Sequence, residues 1–248
     1  MEKQPFISII TVCYNSEKTI GQTIESVLNQ GYKNYEYIIV DGKSSDNTLK
    51  IASSYLNKFE GKLKIISEKD NGIYDAMNKG ILKCSGNIIG IVNSDDWYEK
   101  ETLEEVAKRF EKEKMQVIYG YQRLIKNEKE YEINFKSFDF INERMINHPT
   151  CFISKNIYDK YGLYDISLKS SADYEFMLRI SKDIDIVFTK VEKILSNFRL
   201  GGESSSQVGV IETAELRYKY GYISKKQFLR KLIVSKTYMF LKFISKGF

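Results

Sequence analysis

Proline occurs twice in this chain, histidine once and cysteine three times, and each scarcity excludes something. With Pro5 and Pro149 alone, no proline-rich linker divides the chain; no low-complexity stretch or internal repeat does so either. Cys13, Cys84 and Cys151 are odd in number and far apart, which fits neither a zinc spacing nor a disulfide framework. They read as small core residues. No apolar run approaches the ~18 residues needed to span a bilayer. No charged, then apolar, then small-residue succession precedes the first apolar run. The expectation is therefore a chain that is not exported and works in a reducing cytosol.

What the chain does have is apolar residues and unevenly placed charge. A hydrophobic content of 42% over 248 residues suits one large α/β domain, or one domain with an appendage. The net charge is +5, yet from Leu216 onward there are nine lysines and arginines and no acid. The body is mildly acidic and the tail strongly basic.

Apolar runs alternate with helical patterns through the first half. Residues 6–12 form a continuous β-branched run, as expected of a strand covered on both faces. Further strands are expected at 35–40, 63–67, 87–93 and 116–121. Helices between them carry stripes of Ile20, Ile24, Val27 and Leu28, then Leu49, Ala52 and Leu56, then residues 73–82, then Leu103, Val106, Ala107 and Phe110. This is the pattern of strand–helix–strand crossovers. It predicts an α/β fold with a mostly parallel central sheet and flanking helices, with ligands beyond the carboxyl ends of the strands. After Lys126 the segments shorten, apart from a helix expected at 172–180.

The sharpest local signal is the fourth strand running into acid: Asn93-Ser94-Asp95-Asp96-Trp97. Adjacent carboxylates at the mouth of a buried strand repel unless a cation sits between them. A hard divalent ion shared with a diphosphate removes that cost, which points to metal-assisted handling of a nucleotide diphosphate. The plain alternative, an acid pair capping the next helix, suits Asp96 better than Asp95. Asp41 closes the second strand and either accepts from a nucleobase or serves the turn. Asp70-Asn71-Gly72 turns into a helix whose N-terminus favours an anion, and Asp75 and Asn78 lie one turn apart on it. An ordinary amphipathic helix accounts for them as well. Asp173 opens its helix as a cap or a general base. The block 197–206, with two glycines and three serines, reads as a flexible loop, and Arg199 just before its Gly-Gly-Ser part is a surface arginine or a diphosphate clamp once the loop closes. A lone histidine such as His148 is usually structural; contact with phosphate, metal or acceptor is the alternative.

In order and spacing, several stretches together resemble the family 2 glycosyltransferases. They are Ile9-Ile10-Thr11-Val12-Cys13-Tyr14-Asn15, Val40-Asp41-Gly42 with Ser45-Asp46-Asn47-Thr48, Asn71-Gly72-Ile73-Tyr74-Asp75-Ala76-Met77-Asn78-Lys79-Gly80, and Asn93-Ser94-Asp95-Asp96. His148-Pro149 and Ala172-Asp173-Tyr174-Glu175-Phe176-Met177-Leu178-Arg179 extend the resemblance over about residues 5–205. The pattern is similar to bacterial enzymes that build capsule, O-antigen or exopolysaccharide. The resemblance implies the Rossmann-like A-type glycosyltransferase fold, a nucleotide-sugar donor (a UDP-sugar foremost), Mn²⁺ or Mg²⁺, and inversion at the anomeric carbon. It implies that Asp41 holds the base with Tyr14 against it. Val12, Asn15, Asp70, Asn78, Ser94, Asp95 and Arg199 complete the donor side. Asp95 would bind the metal, with Asp96 and His148 as further candidate ligands, and Asp173 would be the catalytic base. One departure is Asn93 in place of the first acid of the family's Asp-x-Asp element, which leaves the main ligand open between Asp95 and Asp96.

The expected organisation is a transferase domain over 1–215, split into a nucleotide-binding half (1–125) and an acceptor-side half (126–215). A basic amphipathic helical tail follows over 216–248. In that tail Phe228, Leu229, Leu232, Ile233, Tyr238, Phe240, Leu241, Phe243 and Ile244 interleave with the cations, as in a membrane-surface anchor. Packing back on the domain, or on a second copy in a homo-oligomer, is the alternative. Nucleic acid is not expected, because the acidic body lacks a basic groove. The resemblance implies a polyprenyl-diphosphate-linked glycan acceptor, hence a cytoplasmic protein peripheral to the inner face of the cell membrane. Two rivals stand beside this reading. A nucleotidyltransferase would want a glycine-rich basic signature after the first strand, where Tyr14-Asn15-Ser16-Glu17-Lys18 has no glycine. A non-catalytic nucleotide-sugar-binding subunit would tolerate loss of Asp173, which is present.

Overall fold

The computed structural model describes residues 4–201 and 207–245, with backbone alone for 240 and 242–245. Four parallel strands open the chain: β1 (Ile7–Cys13), β2 (Tyr35–Asp41), β3 (Leu63–Ser67) and β4 (Ile88–Ile91), in the order β3-β2-β1-β4. Every residue of β1, β2 and β4 is buried, as strands covered on both faces require. The crossovers are α1 (Ile20–Leu28), α2 (Thr48–Ser54) and α3 (Ile73–Lys83). The α1 stripe is as expected, with Ile20, Ile24 and Val27 fully buried. The α2 stripe is not. A tight 3-10 turn at Leu56–Phe59 shifts the register, so Ala52, Tyr55 and Phe59 point inward while Leu56 is 42% exposed. Helix α3 lies so close to β1 that a Cβ at Gly80 would come within 2.7 Å of the Ile10 side chain.

The second half extends the same sheet. β5 (Trp97–Tyr98), β6 (Met115–Lys126), β7 (Lys129–Asn134), β8 (Phe152–Ser154) and β9 (Ile186–Arg199) complete the order β3-β2-β1-β4-β8-β6-β9-β5, with β7 paired to β6. β8 runs antiparallel to both β4 and β6, β5 antiparallel to β9, and only the long β6–β9 pair is parallel. The sheet is therefore mixed: parallel in the first half, largely antiparallel beyond β4. The short strand expected at 116–121 is the first half of a 12-residue strand, and the expected short segments after Lys126 include the 14-residue β9. Register shifts around Tyr121 break the alternation that would have announced this pair.

Alternation along β1 divides the core. Ile10 and Val12 join one cluster, under α3 and the later helices α5 (Lys155–Tyr161) and α6 (Ala172–Ile180). Ile7, Ile9 and Cys13 join the other, with α1 and α4 (Thr102–Arg109). All three cysteines are buried and free. The chain continues in α7 (Gln207–Lys219) and α8 (Lys225–Ser245). α7 is docked on the body: Ala214 and Leu216 are buried, and the Tyr220 hydroxyl donates to Glu175 at 2.8 Å. The boundary expected between 215 and 216 thus falls inside α7, and the exposed basic helix is α8. The Phe228 ring of α8 stacks on Tyr218 of α7 at 5.3 Å.

Candidate active site

β1 pairs with β2 on one side and β4 on the other, so the loops leaving its carboxyl end diverge and open a crevice. A cleft of about 960 Å³ lies there. The first wall is Val12 near the end of β1 and Tyr14 and Ser16 after it, with Ser94 and Asp95 after β4. Residues 70–76, at the start of α3, form a second side. Residues 166–169 and Gly201 face them.

The two adjacent acids separate. Asp95 lines the cleft. Burial lifts its carboxyl above the usual range, offset in part by a backbone N–H and by Arg199. Asp96 is fully buried outside the cleft, accepts from the Arg199 backbone N–H at 3.0 Å, and has no partner for Oδ2 among the described residues. Burial and the neighbouring Asp95 push its carboxyl well up. Of the two, Asp95 is the one placed to meet a cleft-bound ion; Asp96 ties the acidic loop to β9. Ser94 lines the cleft beside it, with its hydroxyl donating to Ser16 at 2.8 Å.

Arg199 does not hang over the cleft as a free clamp. Its guanidinium donates to the Asp95 carbonyl at 2.7 Å, to Gln22 at 2.7 Å and to Glu128 at 3.0 and 3.1 Å, and lies over the Trp97 ring. Four of its five N–H groups are committed to these partners. Of the loop expected over 197–206, residues 197–199 are instead the end of β9, paired to β6, and Gly202 to Ser206 lie outside the described residues.

On the base side Asp70 and Tyr14 line the cleft, and Tyr14 is 64% exposed. Gly42 sits directly behind them: a Cβ there would collide with the Asp70 carboxylate. Asp41 is buried beneath, its oxygens accepting from the Ser44 N–H and hydroxyl and from the Ser67 hydroxyl at 2.7 Å. It braces the floor and does not line the cleft. Asn15 also does structural work, its carbonyl oxygen accepting from the Ser45 N–H at 2.9 Å. Asn78 is turned away: its amide makes a reciprocal pair with the Tyr164 backbone at 2.9 and 3.0 Å.

Asp173 stands one hydrogen bond behind the cleft. Tyr74 lines the cleft and donates its hydroxyl to Asp173 Oδ1 at 2.9 Å. Burial, with Asp173 alongside, raises the tyrosine pKa and keeps it a donor. His148 lies near Asp173 rather than on the cleft wall, with Nε2 3.3 Å from the Tyr164 hydroxyl, and burial lowers its pKa. Lys136 and Arg144 approach the same region, and burial lowers the Lys136 pKa. Asp95, Asp96 and His148 are therefore not one ligand set. Among the described residues no group of three or more His, Cys, Asp or Glu could hold an ion. An octahedral Mg²⁺ or Mn²⁺ that takes phosphate oxygens and waters needs only one or two carboxylates, so Asp95 fits such an ion. Sequence reasoning missed Tyr74 and the 166–169 wall. Tyr74 sits inside a quoted motif; nothing local marks 166–169.

The family model for "Glycosyl transferase family 2" matches residues 8–166. The chain belongs to this family. It is a glycosyltransferase with the A-type fold. It is 27% identical over 207 residues to the PGL/p-HBAD biosynthesis glycosyltransferase of Mycobacterium bovis, spanning 82% of this chain and 81% of that one. It is 28% identical to chondroitin synthase of Escherichia coli across 83% of this chain but 30% of that enzyme. The fold is similar to S. aureus TarS 1–349 in complex with UDP-GlcNAc, with a TM-score of 0.71 and 23% identity over 91% of this chain and 69% of that one. It is also similar to the mannosyltransferase PcManGT of Pyrobaculum calidifontis in complex with GDP-Man and Mn²⁺, with a TM-score of 0.66 and 13% identity over 88% and 64% of the two chains.

Proposed function

We propose that this glycosyltransferase moves a sugar from a UDP-sugar to a hydroxyl of a lipid-linked glycan, with inversion, in the assembly of a bacterial surface polysaccharide. The observation that carries the reading is the Tyr74–Asp173 hydrogen bond, which links a cleft wall to the carboxylate directly behind it. The uridine would lie between Tyr14 and Asp70, above Gly42. Asp95 would hold Mn²⁺ or Mg²⁺, which neutralises charge on the leaving diphosphate. Asp173, oriented by the Tyr74 hydroxyl, takes the proton from the acceptor hydroxyl as it attacks the anomeric carbon from the face opposite the diphosphate. One displacement inverts the configuration. UDP is favoured because a structural neighbour was solved with UDP-GlcNAc.

The tail supports a membrane-surface location on the cytoplasmic side. Lys225, Lys226 and Arg230 flank Leu229, Ile233 and Val234 around a hollow on α8, and those three apolar side chains are exposed. A cationic rim around exposed apolar groups complements an anionic leaflet. No helix among the described residues is long and apolar enough to cross a membrane.

The test is UDP release from a donor panel with metal, with and without chelator and a polyprenyl-diphosphate-linked acceptor. Asp173→Asn is expected to keep UDP binding and lose transfer by about 10²–10⁴-fold. Wild-type turnover by that variant would remove Asp173 as the base.

A further inference from the structure

The cleft is lined by Asp70, Asp75 and Asp95, and its entering ligand, on the reading above, is a diphosphate. Asp75 is matched by Lys79 at 3.4 Å. Arg199, the cation that sequence reasoning offers for the phosphates, does not line the cleft and commits four of its five N–H groups elsewhere. One cation remains among the described lining residues. Lys169 lies on the wall facing the start of α3, is exposed, and its ammonium has no hydrogen-bond or ion-pair partner among the described residues.

Its backbone, by contrast, is held firmly. The Glu212 carboxylate of α7 accepts from the Lys169 N–H at 2.8 Å and the Ser170 N–H at 2.9 Å. The Ser171 hydroxyl meets the Gly209 carbonyl at 3.3 Å and the Thr213 hydroxyl at 3.2 Å. On the other flank Asp165 accepts from the Ser167 N–H at 2.9 Å and hydroxyl at 2.7 Å. A cation on a pinned loop loses less freedom on binding than one on a slack loop, so more of its charge-assisted bond appears as affinity.

We propose that Lys169 binds the donor's diphosphate from the wall facing the start of α3, and that Glu212 is the positioning residue that sets it there. The proposal rests on the donor reading given above. As the sugar–phosphate bond breaks, negative charge grows on the diphosphate, and an ammonium carried on a pinned backbone would offset it.

Donor KM, acceptor KM and equilibrium UDP binding in the presence of Mn²⁺ are measured for wild type, Lys169→Met, Lys169→Arg, Glu212→Ala and Glu212→Gln. Lys169→Met is expected to raise donor KM and weaken UDP binding about tenfold, leaving acceptor KM unchanged, with Lys169→Arg recovering most of the loss. Glu212→Ala should move the same two constants by a smaller factor, with Glu212→Gln in between. Unchanged UDP binding in Lys169→Met, or a rise confined to acceptor KM, overturns the proposal while leaving the transferase reading intact. A wild type that binds UDP but transfers no sugar defeats the transferase reading, and the binding constants still decide Lys169. A wild type that binds no nucleotide diphosphate defeats both.

Discussion

Asp95 and Asp96 share a peptide bond and have different surroundings. Asp95 lines the cleft; Asp96 is buried and accepts the Arg199 backbone N–H. Their substitutions should therefore separate. Asp95→Asn is expected to cut transfer by about a hundredfold and to flatten the rate's response to added Mn²⁺, read by titrating metal against initial rate. Asp96→Asn should lower the melting midpoint while leaving the form of that titration unchanged. Tyr74→Phe removes the hydroxyl that orients Asp173 and is expected to lower kcat about tenfold at constant donor KM. The acid pair was legible as a pair from the strand it follows. Which acid faced the cleft was not, because that depends on β9 arriving from about a hundred residues away, as the Arg199–Asp96 separation of 103 shows.

At the scale of elements, the parallel half of the sheet carries a buried carboxylate. Glu36 on β2 accepts from Ser8 of β1 at 2.8 Å, from the Ser85 N–H and hydroxyl at 2.6 and 2.7 Å, and from Lys64 of β3 at 2.8 Å. Burial alone would raise its pKa; these bonds prevail and hold it at about 2. A carboxyl depressed on folding contributes stability that is complete above its unfolded pKa and is lost as pH falls through the folded one. Between about pH 5 and 2 the melting midpoint of wild type should fall more steeply than that of Glu36→Gln, followed by circular dichroism. The first four strands and their helices were readable because continuous apolar runs and 3.6-residue stripes are local patterns. β9 was not: Lys190, Glu192 and Lys193 interrupt its apolar residues, and its pairing with β6 shifts register.

For the whole molecule, α7 joins the cleft to the basic helix. It holds the 169–170 backbone through Glu212 and stacks Tyr218 against Phe228 of α8. Removing residues 225–248 should leave the melting midpoint of the domain nearly unchanged and abolish flotation with anionic vesicles, while neutral vesicles bind neither form. Retained flotation would locate the lipid-binding surface elsewhere. The sequence by itself determined the family, the strand–helix rhythm, the acid-tipped strand and the basic tail, since each is written in neighbouring residues. Tertiary structure alone decided that Asn78 clamps Tyr164, 86 residues on, and that Arg199 reaches Gln22, 177 residues back. It also decided that Lys169 is the one lysine or arginine among the described residues that line the cleft. The reason is physical: a side chain's role is set by which donors and acceptors the fold brings within hydrogen-bond reach, and that proximity is a property of the assembled sheet and its helices, absent from any local stretch of chain.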